Sequence, residues 1–154
     1  MLQPGDILLI KTKGIYAKLI RWWTNSKYTH VAIVLTENIA IEANWRVRTF
    51  PIDDINNYDI YRLKGGLTNK EQNEIRKKLL YYHGRRYDFL QITGYLFMSY
   101  FKGRNKFNSS KYVICSELAD RVYHSIGYNL LPNIYLGDAT PGDIAKSNYL
   151  ERID

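Results

Sequence analysis

His30-Val31-Ala32-Ile33-Val34-Leu35, then Thr36-Glu37-Asn38, then Ile39-Ala40-Ile41-Glu42-Ala43-Asn44 is two apolar runs around a polar turn. The first run is rich in β-branched residues, and the second continues through Trp45-Arg46-Val47, so the stretch reads as an antiparallel hairpin with a returning strand over 39–47. A three-residue turn over Thr36-Glu37-Asn38 pairs Leu35 with Ile39 and sets His30 opposite Asn44. Ala40, Glu42 and Asn44 then share the face of His30, with Glu42 its diagonal neighbour. A two-residue turn at Glu37-Asn38 would reverse this and send Glu42 to the other face. The first register is favoured because it gathers Val31, Ile33, Leu35, Ile39 and Ile41, joined by Trp45, into one core face.

Outward from the hairpin, Pro4-Gly5-Asp6 is a turn leading into a strand over Ile7 to Lys11. Ile15, Leu19, Trp22 and Trp23 repeat at helical spacing within Gly14 to Thr24. Asn25-Ser26-Lys27 is a loop, and Tyr58 to Leu63 is a further strand. Thr68 and Glu71 have capping-box spacing and open a helix that Gly84 closes. Helical patterns also cover about Asp88 to Tyr100 and Cys115 to Ser125. In the latter, Leu118, Ala119, Val122 and Ile126 share a face and Gly127 stands just past the end. Thr140-Pro141-Gly142-Asp143 has the order of a short helix start. The expected class is α+β, an antiparallel sheet from the first half packed with helices mainly from the second.

The chain has 154 residues, 45% hydrophobic and 14% aromatic, which suits one packed domain over 1–154 rather than disorder. One cysteine argues for a reducing compartment. The start lacks a basic region followed by a long apolar run, so no signal peptide is read and a cytoplasmic location is expected. Phe89 to Phe101 is interrupted by Gln91, Thr93 and Ser99 and is too short to span a bilayer. Within it Tyr95-Leu96-Phe97-Met98 reads first as core. The net charge of +7 favours peripheral contact with an anionic surface. Lys102-Gly103-Arg104-Asn105-Lys106 reads as a solvated loop, and no zinc-finger or RNP-like motif accompanies it, so no specific nucleic acid is expected.

Cys115 lies where a strand-like run turns into a helix. An ordinary thiol is mostly protonated at neutral pH, and a helix N-terminus stabilises its anion. The N–H groups there, that of Cys115 included, also suit an oxyanion hole. The ordinary alternative is a buried structural cysteine. Of the three histidines, His124 is on the far side of the same helix, roughly 900° on from Cys115. His83 stands at a helix end as a capping side chain. His30 opens a strand after a polar loop, with the small Ala32 and Val34 following on its face, and is the candidate base. Glu42 is the candidate to hold the imidazole tautomer, with Asn44 its rival.

The ordered segments Gly5-Asp6-Ile7-Leu8, Thr24 to Val34, Ile41-Glu42-Ala43, Gly84 with Tyr87-Asp88, Cys115-Ser116-Glu117-Leu118 and Thr140 to Ile144 span almost the whole chain. In this order they resemble the circularly permuted NlpC/P60-like members of the papain-like superfamily, in particular the YiiX/YebB-like cysteine hydrolases. The resemblance implies a papain-like α+β core in which the His-bearing strands precede the Cys helix. It also implies Cys115 as nucleophile, His30 as general base and Glu42 as the orienting group. An amidase, peptidase or esterase acting through an acyl-enzyme is the expected activity, on short peptides, cell-wall fragments or lipid-linked amides and esters. That chemistry needs no cofactor, and the three histidines show no metal-ligand spacing. Permuted relatives include acyltransferases and phospholipases like lecithin:retinol acyltransferase. Their Asn-Cys-Glu-His-type motif is replaced here by Ile114-Cys115-Ser116-Glu117, which places that branch second. A non-catalytic basic binding module is the third reading.

Overall fold

In a computed structural model, which describes residues 1–44, 46–85, 115–132, 134 and 139–153, the apolar runs pair as one antiparallel sheet. Its strands are β1 (Ile7–Ile10), β2 (His30–Thr36), β3 (Ile39–Asn44), β4 (Arg46–Pro51), β5 (Tyr58–Leu63) and β6 (Leu150–Arg152). The order across the sheet is β4-β3-β2-β1-β5-β6. Three helices of the expected pattern accompany it: α1 (Ile15–Thr24), α2 (Asn69–Tyr82) and α3 (Cys115–His124). A short α4 (Pro141–Ile144) follows. Among the described residues no helix is long and apolar enough to cross a membrane. The helical reading of Asp88 to Tyr100, the aromatic run to Phe101 and the Lys102–Lys106 loop lie outside the described residues, as does Trp45.

Strand alternation divides the apolar side chains between two faces. Ile7, Leu9, Val31, Ile33, Ile41 and Val47 form the larger core with the helices, where Leu118, Ala119 and Val122 of α3 are buried. Each such Leu or Ile removed from water stabilises the fold by about 1.5–3 kcal/mol. Leu8, Ile10, Ala32, Val34, Ala40 and Ile52 form a smaller cluster on the opposite face. Helix α3 lies across β2 and β3, the two strands of the hairpin. That packing carries the Cys115 end of the helix to the sheet.

The hairpin reaches the expected register by a different turn. The pairs are Ala32 with Glu42, Ile33 with Ile41 and Val34 with Ala40, but then Thr36 with Ile39, with an irregularity between Val34 and Thr36. The turn is therefore the two-residue Glu37-Asn38, and the extra residue, Leu35, is taken up as a bulge. The bulge cancels the one-residue shift that the shorter turn would impose, so Glu42 keeps the expected face. Ile39 does not: it sits at the sheet end beyond the bulge and is 39% exposed rather than core. The returning strand also ends earlier than expected. After Asn44 the chain reverses into β4, which pairs Glu42 with Arg48 and Ala43 with Val47.

Local chemistry fixes the ends of the helices. Thr68 and Glu71 form a reciprocal capping box at α2, and Thr140 and Asp143 do the same at α4. Gly84, at φ 79°, ends α2 in the left-handed region that glycine tolerates best. Gly5, at φ 95°, has no room for a side chain, since a β-carbon there would press on Leu67. Its carbonyl accepts a 2.5 Å hydrogen bond from the buried Tyr123 hydroxyl, which ties α3 to the chain start.

Asp6 is 2% exposed and accepts two hydrogen bonds from Arg62, Nε to Oδ1 and Nη2 to Oδ2, each 2.7 Å. The Gln3 N–H adds a third at 2.8 Å. Asp6→Ala leaves the guanidinium without its carboxylate, and breaking such a pair is expected to lower unfolding free energy by about 3 kcal/mol. The check is a fall in denaturant midpoint at unchanged slope.

Candidate active site

The site begins with the excursion that carries α1. The chain leaves β1 at Lys11 and returns to β2 at Thr29, where the two ends are pinned together. Thr12 N–H donates to Thr29 Oγ1 at 2.9 Å, the two hydroxyls are 2.7 Å apart, and Thr29 N–H donates to Ile10 O at 2.9 Å. His30 follows immediately, paired with Ile10 at the end of the β1–β2 ladder. The strand start thus fixes the backbone of His30 while leaving its ring at the sheet's end.

Glu42 lies on the neighbouring strand, 6% exposed, and its Oε2 accepts the His30 Nε2–H at 2.9 Å. Its other oxygen is engaged by Arg48, with Nε and Nη2 each 2.8 Å from Oε1. Burial would raise the Glu42 carboxyl. The hydrogen bonds and charges of His30 and then Arg48 overcome that and hold it at about 2. Because the folded value is depressed, the stability this carboxylate contributes is present above its ordinary value of about 4.3. That contribution is lost as pH falls towards 2.

Cys115 is the first residue of α3 and 5% exposed. The His30 ring and the backbone N–H groups of Val31 and Ser116 are its polar neighbours, close enough to act on the thiol. Since Glu42 holds Nε2, Nδ1 is the nitrogen left for the thiol. Burial alone would raise the Cys115 thiol and lower His30, because it penalises both charged forms. The attraction of each for the other wins. Cys115 is lowered by the imidazolium charge and hydrogen bond and by the two N–H groups. His30 is raised to about 10 by the thiolate and then by Glu42. Both shifts favour the thiolate–imidazolium form of the pair over the neutral one.

The structure therefore brings Cys115, His30 and Glu42 together from α3, β2 and β3, with His30 hydrogen-bonded to Glu42 and electrostatically paired with Cys115. His83 and His124 are outside this group. Both are exposed, and the His83 backbone N–H caps α2 through Leu79 O and Leu80 O. Asn44 is the last residue of β3, paired with Arg46. Two contributors escaped the sequence reading. Arg48 follows from β4, whose alternation Arg46-Val47-Arg48-Thr49-Phe50 was a usable signal. The Val31 N–H has no sequence signal, because it depends on where α3 docks.

A cleft of about 480 Å³ opens beside the Glu42 end of this group. Thr12, Thr29, His30, Glu42, Arg48 and Phe50 line it with the 54–56 segment. It touches the histidine and the carboxylate, and Cys115 is not among its lining residues.

The arrangement belongs to an α+β fold with a six-stranded antiparallel sheet, and that fold is shared with a solved protein. The crystal structure of the metalloprotein YiiX from Escherichia coli O157:H7, DUF1105, superposes with a TM-score of 0.76 at 21% identity. The match covers 99% of this chain and 96% of that one. At that identity the likeness is one of fold. No family model matches the sequence, and no curated protein is a significant match.

Proposed function

We propose that this protein is a cysteine-dependent acyl hydrolase of the circularly permuted, papain-like NlpC/P60 type. One observation carries the reading: a sulfur at a helix N-terminus beside a histidine whose Nε2 is 2.9 Å from a buried carboxylate. Nucleophile, base and orienting group are the three parts that acyl transfer through a thiol requires.

In the proposed cycle, the Cys115 thiolate attacks the carbonyl carbon of an amide or ester. Electrons move onto the carbonyl oxygen, which backbone N–H groups at the start of α3 would stabilise. The intermediate collapses as His30 Nδ1–H gives its proton to the departing amine or alcohol, leaving a Cys115 thioester. Neutral His30 then takes a proton from water, hydroxide adds to the thioester carbonyl, and the thiolate leaves. The products are a carboxylic acid and the regenerated pair. Glu42 keeps Nδ1 turned to the sulfur and stabilises the imidazolium, while Arg48 fixes the carboxylate. Short peptides, cell-wall fragments and lipid-linked amides or esters are the proposed substrate classes.

YiiX is described as a metalloprotein. Among the described residues of this chain no group of three or more His, Cys, Asp or Glu converges to hold a metal ion. The donors at Cys115 do not fit one either, since His30 Nε2 is held by Glu42 and the ring's charge is matched to the thiol.

The test is intact mass after brief incubation with a panel of acyl amides, thioesters and phospholipids, quenched in acid. The expected result is an added acyl mass, mapped to Cys115 and absent in Cys115→Ala. Adding an acceptor amine separates transfer from hydrolysis. An unmodified Cys115 across the panel, with no product formed, overturns the proposal.

A further inference from the structure

Helix α1 holds two large apolar residues, Ile15 and Trp22, on the outside. Ala17 is buried at 5% exposure, whereas Ile15 is 78% and Trp22 80% exposed. Ile15 and Trp22 are two turns apart and so share a face, with exposed Lys18 between them. A surface helix stabilised only by its own domain would turn such side chains inward.

Along the chain, the charge on either side of α1 has one sign. From Ile7 through Thr36 the chain carries Lys11, Lys13, Lys18, Arg21 and Lys27 and no carboxylate. Lys11 and Lys27 are held on Asp59 at 2.5 and 2.9 Å. Lys13, Lys18 and Arg21 carry the positive field at α1 itself. Exposed Trp and Ile ringed by cations match a surface that is apolar beneath and anionic at its face. A lipid bilayer has that layering, with indole at the headgroup level and lysine reaching back to the phosphates. Nucleic acid supplies the anions but no apolar layer for Ile15. A second copy of this chain meets the face with like charge.

We infer that α1 docks the protein on an anionic membrane surface through Ile15 and Trp22, with Lys18 and its basic neighbours supplying the attraction. The inference stands apart from the proposed hydrolase activity. It does bear on that site, because the Thr12–Thr29 clasp at the base of α1 lines the same cleft as His30 and Glu42.

The experiment is co-sedimentation of the full chain with vesicles of phosphatidylcholine and phosphatidylglycerol in equal parts, and with phosphatidylcholine alone. Binding is expected to the mixed vesicles, weakening as salt rises, with little binding to the neutral ones. Ile15→Ser/Trp22→Ser should weaken it about tenfold or more, and Lys18→Glu on the order of tenfold. Trp22→Phe should bind but lose much of the blue shift of tryptophan emission on docking. These side chains are exposed, so circular dichroism melting should match wild type. If the double variant unfolds, Lys18→Glu and Trp22→Phe carry the test. Equal binding to both vesicle types, or anionic-vesicle binding unchanged in the variants, overturns the inference. So does a concentration-dependent dimer that the double variant abolishes, since a second copy then covers the face.

Discussion

Cys115→Ala is expected to lower turnover of an acyl substrate by at least about 10,000-fold, the order seen when a nucleophile that acts as part of a unit is removed. His30→Ala should lose nearly as much, because without the imidazole neither the leaving group nor the attacking water exchanges its proton at the reacting atoms. The two losses should not add. A Cys115→Ala/His30→Ala double variant should be about as inactive as either single one, since the residues act on the same step. Stability is the necessary control. Cys115 is 5% exposed and loses one sulfur atom, which should cost about 1 kcal/mol, and the His30 ring is at the sheet's end rather than in the large core. Both variants should therefore melt cooperatively while turnover disappears. Turnover surviving Cys115→Ala would remove the thiol from the chemistry and with it the hydrolase reading.

The hairpin shows how far strand alternation reaches in a sequence. Val31, Ile33 and Ile41 define a core face by period two, and that face alone places Glu42 beside His30 whatever the turn does. The turn itself was not legible. Whether Leu35 pairs or bulges depends on how Thr36 meets Ile39, and no local residue marks it. Strand β4 was missed because β3 and β4 pair directly from Asn44 to Arg46 without the Gly, Pro or Asn-Gly signal that a tight turn normally carries. Arg48 went with it. The helix ends were legible, because Thr68 with Glu71, Thr140 with Asp143 and Gly84 act through neighbours in sequence. The junction of Cys115 with His30 is of another kind: the residues are 85 positions apart in the sequence. Only the docking of α3 on β2 brings them together, and a lone sequence shows the candidates without the contact. The α1 face carried the converse lesson. Helical spacing at Ile15 and Trp22 was read correctly as a helix, but spacing alone does not say whether a face looks inward.

The pH dependence of Cys115 alkylation separates a catalytic pair from a buried thiol. An ordinary thiol is only about 0.3% thiolate at about pH 6. Cys115 is lowered by the His30 imidazolium and by the Val31 and Ser116 N–H groups, so its reaction with iodoacetamide should already be fast there. A lowered thiol is also a weaker nucleophile, which returns part of the gain, so the expected advantage over a free thiol is on the order of tenfold at about pH 6. The rate should stay nearly flat through neutrality and change again only as the imidazolium loses its proton, in the alkaline range where His30 is raised to about 10. His30→Ala removes the positive partner, so the thiolate should form only at higher pH and the plateau should become a single rising limb. Glu42→Gln should give an intermediate profile, since an amide oxygen still accepts the Nε2–H while the charge that favours imidazolium is gone. If Asn44→Ala disturbs the profile more than Glu42→Gln does, Asn44 rather than Glu42 orients the ring. A wild-type rate that follows the free-thiol curve, unchanged by His30→Ala, would leave Cys115 a buried structural cysteine.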